Sequence, residues 1–258
     1  MKSTRTNINE KIFCIDNFFT PEECTAFIDL ATKDGFKQSS PSGGGHGRTR
    51  REDARTNKYT VVADLNQVDL WWKKLRPFVP DNLSFIPSSP YFGTNGGSEW
   101  KPVGLVERIR FYRYDQGEEY PEHMDGSYSR RVERDGHTFQ QQSFLTFLAY
   151  LNDDFEGGTT NFFMQKQHCR FLRDIENKMP TVIVKPQTGT ALISCHAILH
   201  EGSQVTAGTK FVLRTDIVYE RPIPNNQKIQ KFKNCNVAKN TVGEWQKIFE
   251  PSCKIYHD

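Results

Sequence analysis

The sequence predicts a mainly β fold with flanking helices, built on a jelly-roll or double-stranded β-helix core. Three observations carry this. From residue 106 onward apolar and polar residues alternate with period two, the spacing of half-buried strands. β-branched and aromatic residues dominate these runs, and Gly, Asp or Pro separates them. Helical patterns precede them, and nothing repeats at a fixed interval. Many short strands behind one or two helices fit a jelly roll. At 258 residues the chain is long enough to bury a core without covalent staples.

The elements follow in order. Residues 12–18 (IFCIDNF) read as a strand. Thr20-Pro21-Glu22-Glu23 is a capping box with Pro at the first helical position, so a helix begins there. Its inward face uses Phe27, Ile28, Leu30 and Ala31, and Gly35 stops it. Residues 39–47 (SSPSGGGHG) hold no regular structure, and 36–58 reads as a flexible segment able to cover a substrate. Residues 58–63 are a strand, and 66–77 a short helix carrying Leu70, Trp71 and Leu75 inward. Residues 84–100, rich in Ser, Pro and Gly, form a long surface loop. Strands are then expected at 106–114, 142–152, 159–163, 181–185, 190–199 and 211–219. The segment 221–258 is a polar tail. A second capping box at Thr241 and the spacing of Trp245, Ile248 and Phe249 predict a short docking helix.

Composition excludes several classes of function. A net charge of +3 gives no overall attraction to nucleic acid or membrane. The basic cluster Arg48, Arg50, Arg51, Arg55 and Lys58 contains Glu52 and Asp53 and reads as a solvated loop. No apolar run reaches the ~18 residues of a membrane span. The first residues, MKSTRTNINEK, have no apolar signal core. The six cysteines form no C-x-x-C, so reduced thiols and a cytoplasmic location are expected.

His123-Met124-Asp125 is the most informative tripeptide. In a strand, residues i and i+2 share a face, so one imidazole and one carboxylate aim at one point. A histidine from another strand would complete a facial triad and leave three positions of an octahedral iron(II) open. The apolar run 190–199 leads to two candidates, His196 and His200, which share strand parity. His137 and His168 lie in polar stretches and are expected to face solvent. Lys210, Val212 and Arg214 share one face of the next strand. An inward lysine there needs an anionic partner, because an unpaired buried charge is costly.

Four segments in order resemble the prolyl 4-hydroxylase branch of the iron(II)- and 2-oxoglutarate-dependent oxygenases. They are RYDQGEEYPEHMD (113–125), GGTTNF (157–162), KPQTGTALIS (185–194) and HEGSQVTAGTK (200–210). The resemblance spans roughly residues 106–220. It makes residues 1–220 a single oxygenase domain, with the jelly-roll core at about 106–220 and N-terminal helices and loops at 1–105. The family spacing from distal His to Lys selects His200 over His196. The resemblance implies that His123, Asp125 and His200 bind Fe(II). Lys210 and the Tyr114 hydroxyl would hold the C5 carboxylate of 2-oxoglutarate, with Arg214 sharing or replacing Lys210. O₂ is the second co-substrate, and ascorbate an auxiliary reductant. Arg55-Thr56-Asn57 resembles a substrate-side element of this branch, making Arg55 and Asn57 substrate candidates. Thr159 and Gln204 depart from the family pattern, at positions that bear on substrate rather than on the metal.

The expected activity is hydroxylation of prolyl residues in a peptide or protein, releasing succinate and CO₂. The alternatives are hydroxylation of a free amino acid, small molecule or nucleobase on the same scaffold, and a non-catalytic binding module with a vestigial site. A zinc-dependent or other cupin-like enzyme is a further minor reading. The oligomeric state is not expressed in these patterns.

Overall fold

A computed structural model describes residues 2–39, 56–83, 99–164 and 179–223. The N-terminal part comprises strands β1 (Thr4–Asn9) and β2 (Ile12–Asp16), helix α1 (Pro21–Asp34), strands β3 (Lys37–Gln38) and β4 (Lys58–Ala63), and helix α2 (Leu65–Leu75). The expected loops at 84–100 and 39–47 and the helix at 241–249 fall largely or wholly outside the described residues. No helix among the described residues is long and apolar enough to cross a membrane.

Both helices begin where their caps predict. The Thr20 side chain accepts from the Glu23 N–H while Glu23 reaches back to the Thr20 N–H, the reciprocal capping box. Gly35 ends α1 at φ 78°, a left-handed value open to glycine at no steric cost. Asp64 caps α2 through the Gln67 N–H. Two inward assignments need correction. Leu30 is 44% exposed and Leu70 59% exposed. The apolar stripe of α2 is instead Val68, Trp71 and Leu75, at the i, i+3, i+7 spacing of one helix face, which turns Leu70 outward. In α1 the buried positions are Cys24 and Ala31, with Phe27 and Ile28 half-buried behind them.

The β-rich part comprises β5 (Lys101–Leu105), β6 (Arg108–Tyr114), β7 (Tyr120–His123), β8 (Ser129–Arg134), β9 (His137–Tyr150), β10 (Glu156–Gly157) and β11 (Thr160–Phe163). It continues with β12 (Val182–Val184), β13 (Ala191–Cys195), β14 (Leu199–Gly202), β15 (Val205–Ala207) and β16 (Lys210–Pro222). The large sheet runs β1-β2-β13-β9-β16-β6-β4-β3, with β5 also on β16 and β8 also on β9. A small sheet runs β12-β11-β14-β7, and β10 pairs with β15. All pairings are antiparallel. The inner faces of the two sheets meet across side chains such as Tyr150 and Thr160, whose hydroxyls lie 2.8 Å apart. This is the mainly β, jelly-roll architecture expected from the alternation.

The expected strand at 106–114 is β6, beginning at Arg108, and β5 precedes it as a further strand outside that range; one expected strand is divided. The run at 190–199 breaks into β13 and β14 at a turn in which the Ile198 N–H bonds to the Cys195 carbonyl. That turn removes the shared parity of His196 and His200. The core joins helices to sheet: Phe18, Phe19, Trp71 and Phe147 pack edge-to-face or stacked, with centroids 4.8–6.5 Å apart. Cys14, Cys24 and Cys195 are buried free thiols.

Candidate active site

The small sheet carries the histidines. His123 at the end of β7 and His200 on β14 are register partners on neighbouring strands, which brings their rings to 4.3 Å between centroids. Their orientations are set from behind. His123 Nδ1 lies 2.8 Å from the Pro121 carbonyl and His200 Nδ1 2.9 Å from the Ile198 carbonyl. A carbonyl only accepts, so each Nδ1 carries the proton and each Nε2 presents a lone pair. Such backing is the usual support of a metal-ligating histidine.

Asp125 lies in the loop after β7, its N–H bonded to the His196 carbonyl at 3.1 Å. Its carboxylate faces both imidazoles: Oδ1 is 3.5 Å from His123 Nε2, and Oδ2 is 3.6 Å from His200 Nε2. Thr146 Oγ1 donates to Oδ2 at 2.5 Å. Arg214 Nη2 lies 2.8 Å from Oδ1, an ion pair without hydrogen-bond alignment, so Oδ1 is a buried acceptor with no hydrogen-bond partner.

Two Nε2 lone pairs and one carboxylate thus converge, with ligand atoms within 4.8 Å of one another. That donor set, with an unsatisfied carboxylate oxygen at its centre, fits a divalent iron ion. The protonation states agree. Burial pushes His200 down to about 4, only partly offset by Asp125, so its imidazole is neutral at physiological pH. Burial, the largest single effect, opposes ionisation of Asp125, but the Arg214 guanidinium together with His200 and His123 outweighs it and holds the carboxyl well below the usual carboxylate range.

A cavity, partly open to solvent, extends from this cluster. Lys210, Tyr114, Thr160, Leu148 and Val212 help line it. Tyr114 and Lys210 are register partners on β6 and β16. Lys210 is 3% exposed. Its Nζ donates to the Gly158 carbonyl at 2.6 Å and lies 5.2 Å from the Tyr114 ring centroid. Burial pushes its pKa down to about 7. A buried lysine facing a cavity with a carbonyl as partner is poised for an anion. The Gly157-Gly158 turn makes room for it: a Cβ on Gly157 would stand 2.4 Å from the Gln204 carbonyl oxygen, and one on Gly158 would stand 3.1 Å from Lys210 Cδ.

The structure therefore brings together His123, Asp125, His200, Lys210, Tyr114 and Arg214 around one cavity. Arg214 stands on Asp125 and on Asp216 Oδ1, 3.4 Å away. His196 is 3% exposed, and its Nε2 lies 3.7 Å from Asp216 Oδ1. Asn57 is fully buried and does not line the cavity. Arg55 lies outside the described residues. Sequence reasoning passed over Thr146 and Asp216. The one available signal was register: Thr146 and Asp216 are cross-strand partners on β9 and β16, visible only once the sheet order is known.

Comparison with known proteins agrees with this geometry. Residues 109–215, which include His123, Asp125, His200, Tyr114, Lys210 and Arg214, match the 2OG-Fe(II) oxygenase superfamily. A curated protein of Acanthamoeba polyphaga mimivirus, named "Putative prolyl 4-hydroxylase", is 26% identical over 218 residues, covering 78% of this chain and 72% of its own. The fold resembles that of a viral collagen prolyl hydroxylase from Paramecium Bursaria Chlorella virus-1, solved as a 2OG complex. The TM-score is 0.50 at 20% identity, over 82% of this chain and 97% of that one. It also resembles a prolyl hydroxylase from Trichoplax adhaerens solved with a hypoxia inducible factor peptide fragment. There the TM-score is 0.50 at 16% identity, over 81% of this chain and 84% of that one. Residues 109–215 thus match the 2OG-Fe(II) oxygenase superfamily, and the chain is similar to a curated protein named as a prolyl 4-hydroxylase and, in fold, to a viral prolyl hydroxylase.

Proposed function

We propose that this protein is an oxygenase that hydroxylates prolyl residues of a peptide or protein, with succinate and CO₂ as co-products. The observation that carries the reading is the convergence of His123, Asp125 and His200 at one end of a cavity that also holds the buried Lys210. His123 Nε2, His200 Nε2 and one Asp125 oxygen would hold Fe(II). When bound, iron with 2-oxoglutarate and O₂ supplies the oxidising power to hydroxylate an unactivated C–H bond.

The protein's part is binding and orientation. The Pro121 and Ile198 carbonyls keep the two Nδ1 protons in place and so keep both Nε2 atoms free. Lys210 would pair with the distal carboxylate of 2-oxoglutarate, with the Tyr114 hydroxyl as second donor. Leu148, Phe162, Leu192 and Val212 form apolar walls that exclude water from the reacting centre. A peptide substrate is supported by the Trichoplax relative, which was solved with one. Ascorbate would act as the auxiliary reductant.

The test is succinate formation by the purified protein with iron(II), ascorbate and 2-oxoglutarate, with and without a proline-rich peptide. Turnover stimulated by the peptide, with hydroxyproline in the product and loss in His123→Ala, is the expected result. Turnover stimulated by free amino acids or nucleobases but not by the peptide would reassign the substrate. Absence of metal binding would remove the reading.

A further inference from the structure

The Asp125 carboxylate differs from its two partner ligands in how it is held. His123 and His200 sit on paired strands, where the pleat sets the side-chain direction. Asp125 lies beyond the end of β7, so no strand fixes its rotamer. Its orientation comes from the other sheet. Thr146 on β9 donates to Oδ2 at 2.5 Å, and Arg214 on β16 places Nη2 2.8 Å from Oδ1. Behind Arg214, Asp216 Oδ1 stands 3.4 Å from the same nitrogen, and His196 Nε2 lies 3.7 Å from Asp216. Asp125, Thr146, His196 and Asp216 are all under 5% exposed.

We infer that Thr146 and Arg214 are positioning residues that bracket Asp125 for the metal, with Asp216 as the counter-charge of Arg214. The inference rests on the metal-site reading above. Thr146 occupies Oδ2, while the unaligned Arg214 contact leaves a lone pair of Oδ1 for a ligand bond. The positive charge of Arg214 would oppose a divalent cation if it stood alone. Asp216 offsets it, so Asp125, Arg214 and Asp216 together carry one negative charge toward the two imidazoles. The bracket also separates Arg214 from Lys210. The two share a strand face four residues apart, but Arg214 is committed to two carboxylates and Lys210 only to a carbonyl. This makes Arg214 a support of the metal ligand rather than a second anchor for the co-substrate.

The experiment measures Mn²⁺ affinity of the full chain by the electron paramagnetic resonance signal of free Mn²⁺, without 2-oxoglutarate. The variants are Thr146→Val, Thr146→Ser and Arg214→Lys, each checked for folding by circular dichroism. Partners of metal ligands are worth about 10- to 100-fold in metal affinity. Thr146→Val, nearly isosteric with the native side chain, should weaken Mn²⁺ binding by about that factor, and Thr146→Ser should restore most of it. Arg214→Lys keeps the charge but loses the planar fork, and should fall between. If Arg214→Lys does not fold, the two Thr146 variants decide. The inference is overturned if Thr146→Val binds Mn²⁺ like wild type, or if Thr146→Ser loses as much as Thr146→Val, which would indicate packing alone. It is also overturned if Arg214→Lys keeps Mn²⁺ affinity while weakening 2-oxoglutarate binding at saturating Mn²⁺. A wild-type protein that binds no Mn²⁺ would instead remove the metal-site reading on which the inference stands.

Discussion

Lys210 sets the pH behaviour expected of the anion pocket. Its ammonium is buried among Tyr114, Tyr150 and the Gly158 carbonyl, and burial brings its pKa to about 7. In the unfolded chain the same group titrates near 10.5. Between those values the unfolded state holds the proton and the folded state does not, so this group makes stability rise with pH across that window. Ligand binding has the opposite sign. On the proposed role, a carboxylate pairs with the ammonium and not with the amine, so 2-oxoglutarate binding above about pH 7 would take up a proton. Affinity should therefore fall by up to about tenfold per pH unit above 7. Calorimetry in buffers of different ionisation enthalpy should show proton uptake at pH 8 and little at pH 6. Equal proton uptake at both pH values would contradict this role. The sequence showed Lys210 as a candidate through spacing and resemblance. Its burial, and the Gly158 carbonyl that meets it, come from the β10–β11 turn lying against the start of β16.

At the scale of elements, legibility followed locality. The capping box of α1 is four consecutive residues, and its hydrogen bonds close within that segment, so it was readable without a fold. Thr20→Ala should cost about 1 kcal/mol of stability. Because α1 contributes no residue to the cavity, that change should lower the melting temperature and leave Mn²⁺ affinity as it is; a shift in both would show that α1 braces the site. The strand β4 matched its expected range of 58–63 for the same reason, a short run of strand-forming residues with clear ends. Leu30 and Leu70 were misassigned because each helix offers more apolar residues than the one stripe its neighbours cover. The break between β13 and β14 was also hidden. Continuous hydrophobicity from 190 to 199 reads as one strand, but Asp125 and Phe144 take the backbone groups of His196 and turn the chain there. That break explains why parity could not rank His196 against His200.

Across the whole molecule, the proposed metal site joins two sheets that are separate in hydrogen bonding. The histidines belong to the small sheet, while Thr146, Arg214 and Lys210 belong to the large one. A bound cation would tie them together and stabilise the folded state by mass action. At a free Mn²⁺ concentration 100-fold above Kd the gain is about 2.7 kcal/mol. For a chain of this size that is a rise of roughly 5–10 °C in melting temperature. Differential scanning calorimetry should show this shift in wild type and lose it in His123→Ala; an equal shift in both would place the metal elsewhere. The sequence by itself determined the fold class, the caps, and the residue types at 123, 125, 200 and 210, because alternation, capping and ligand spacing are properties of contiguous chain. Only the tertiary structure decided that Arg214 stands on Asp125 and that Thr146 donates to the same carboxylate. Those contacts join residues 21 to 89 positions apart, and sheet register, set by packing of the whole core, is what brings such residues together.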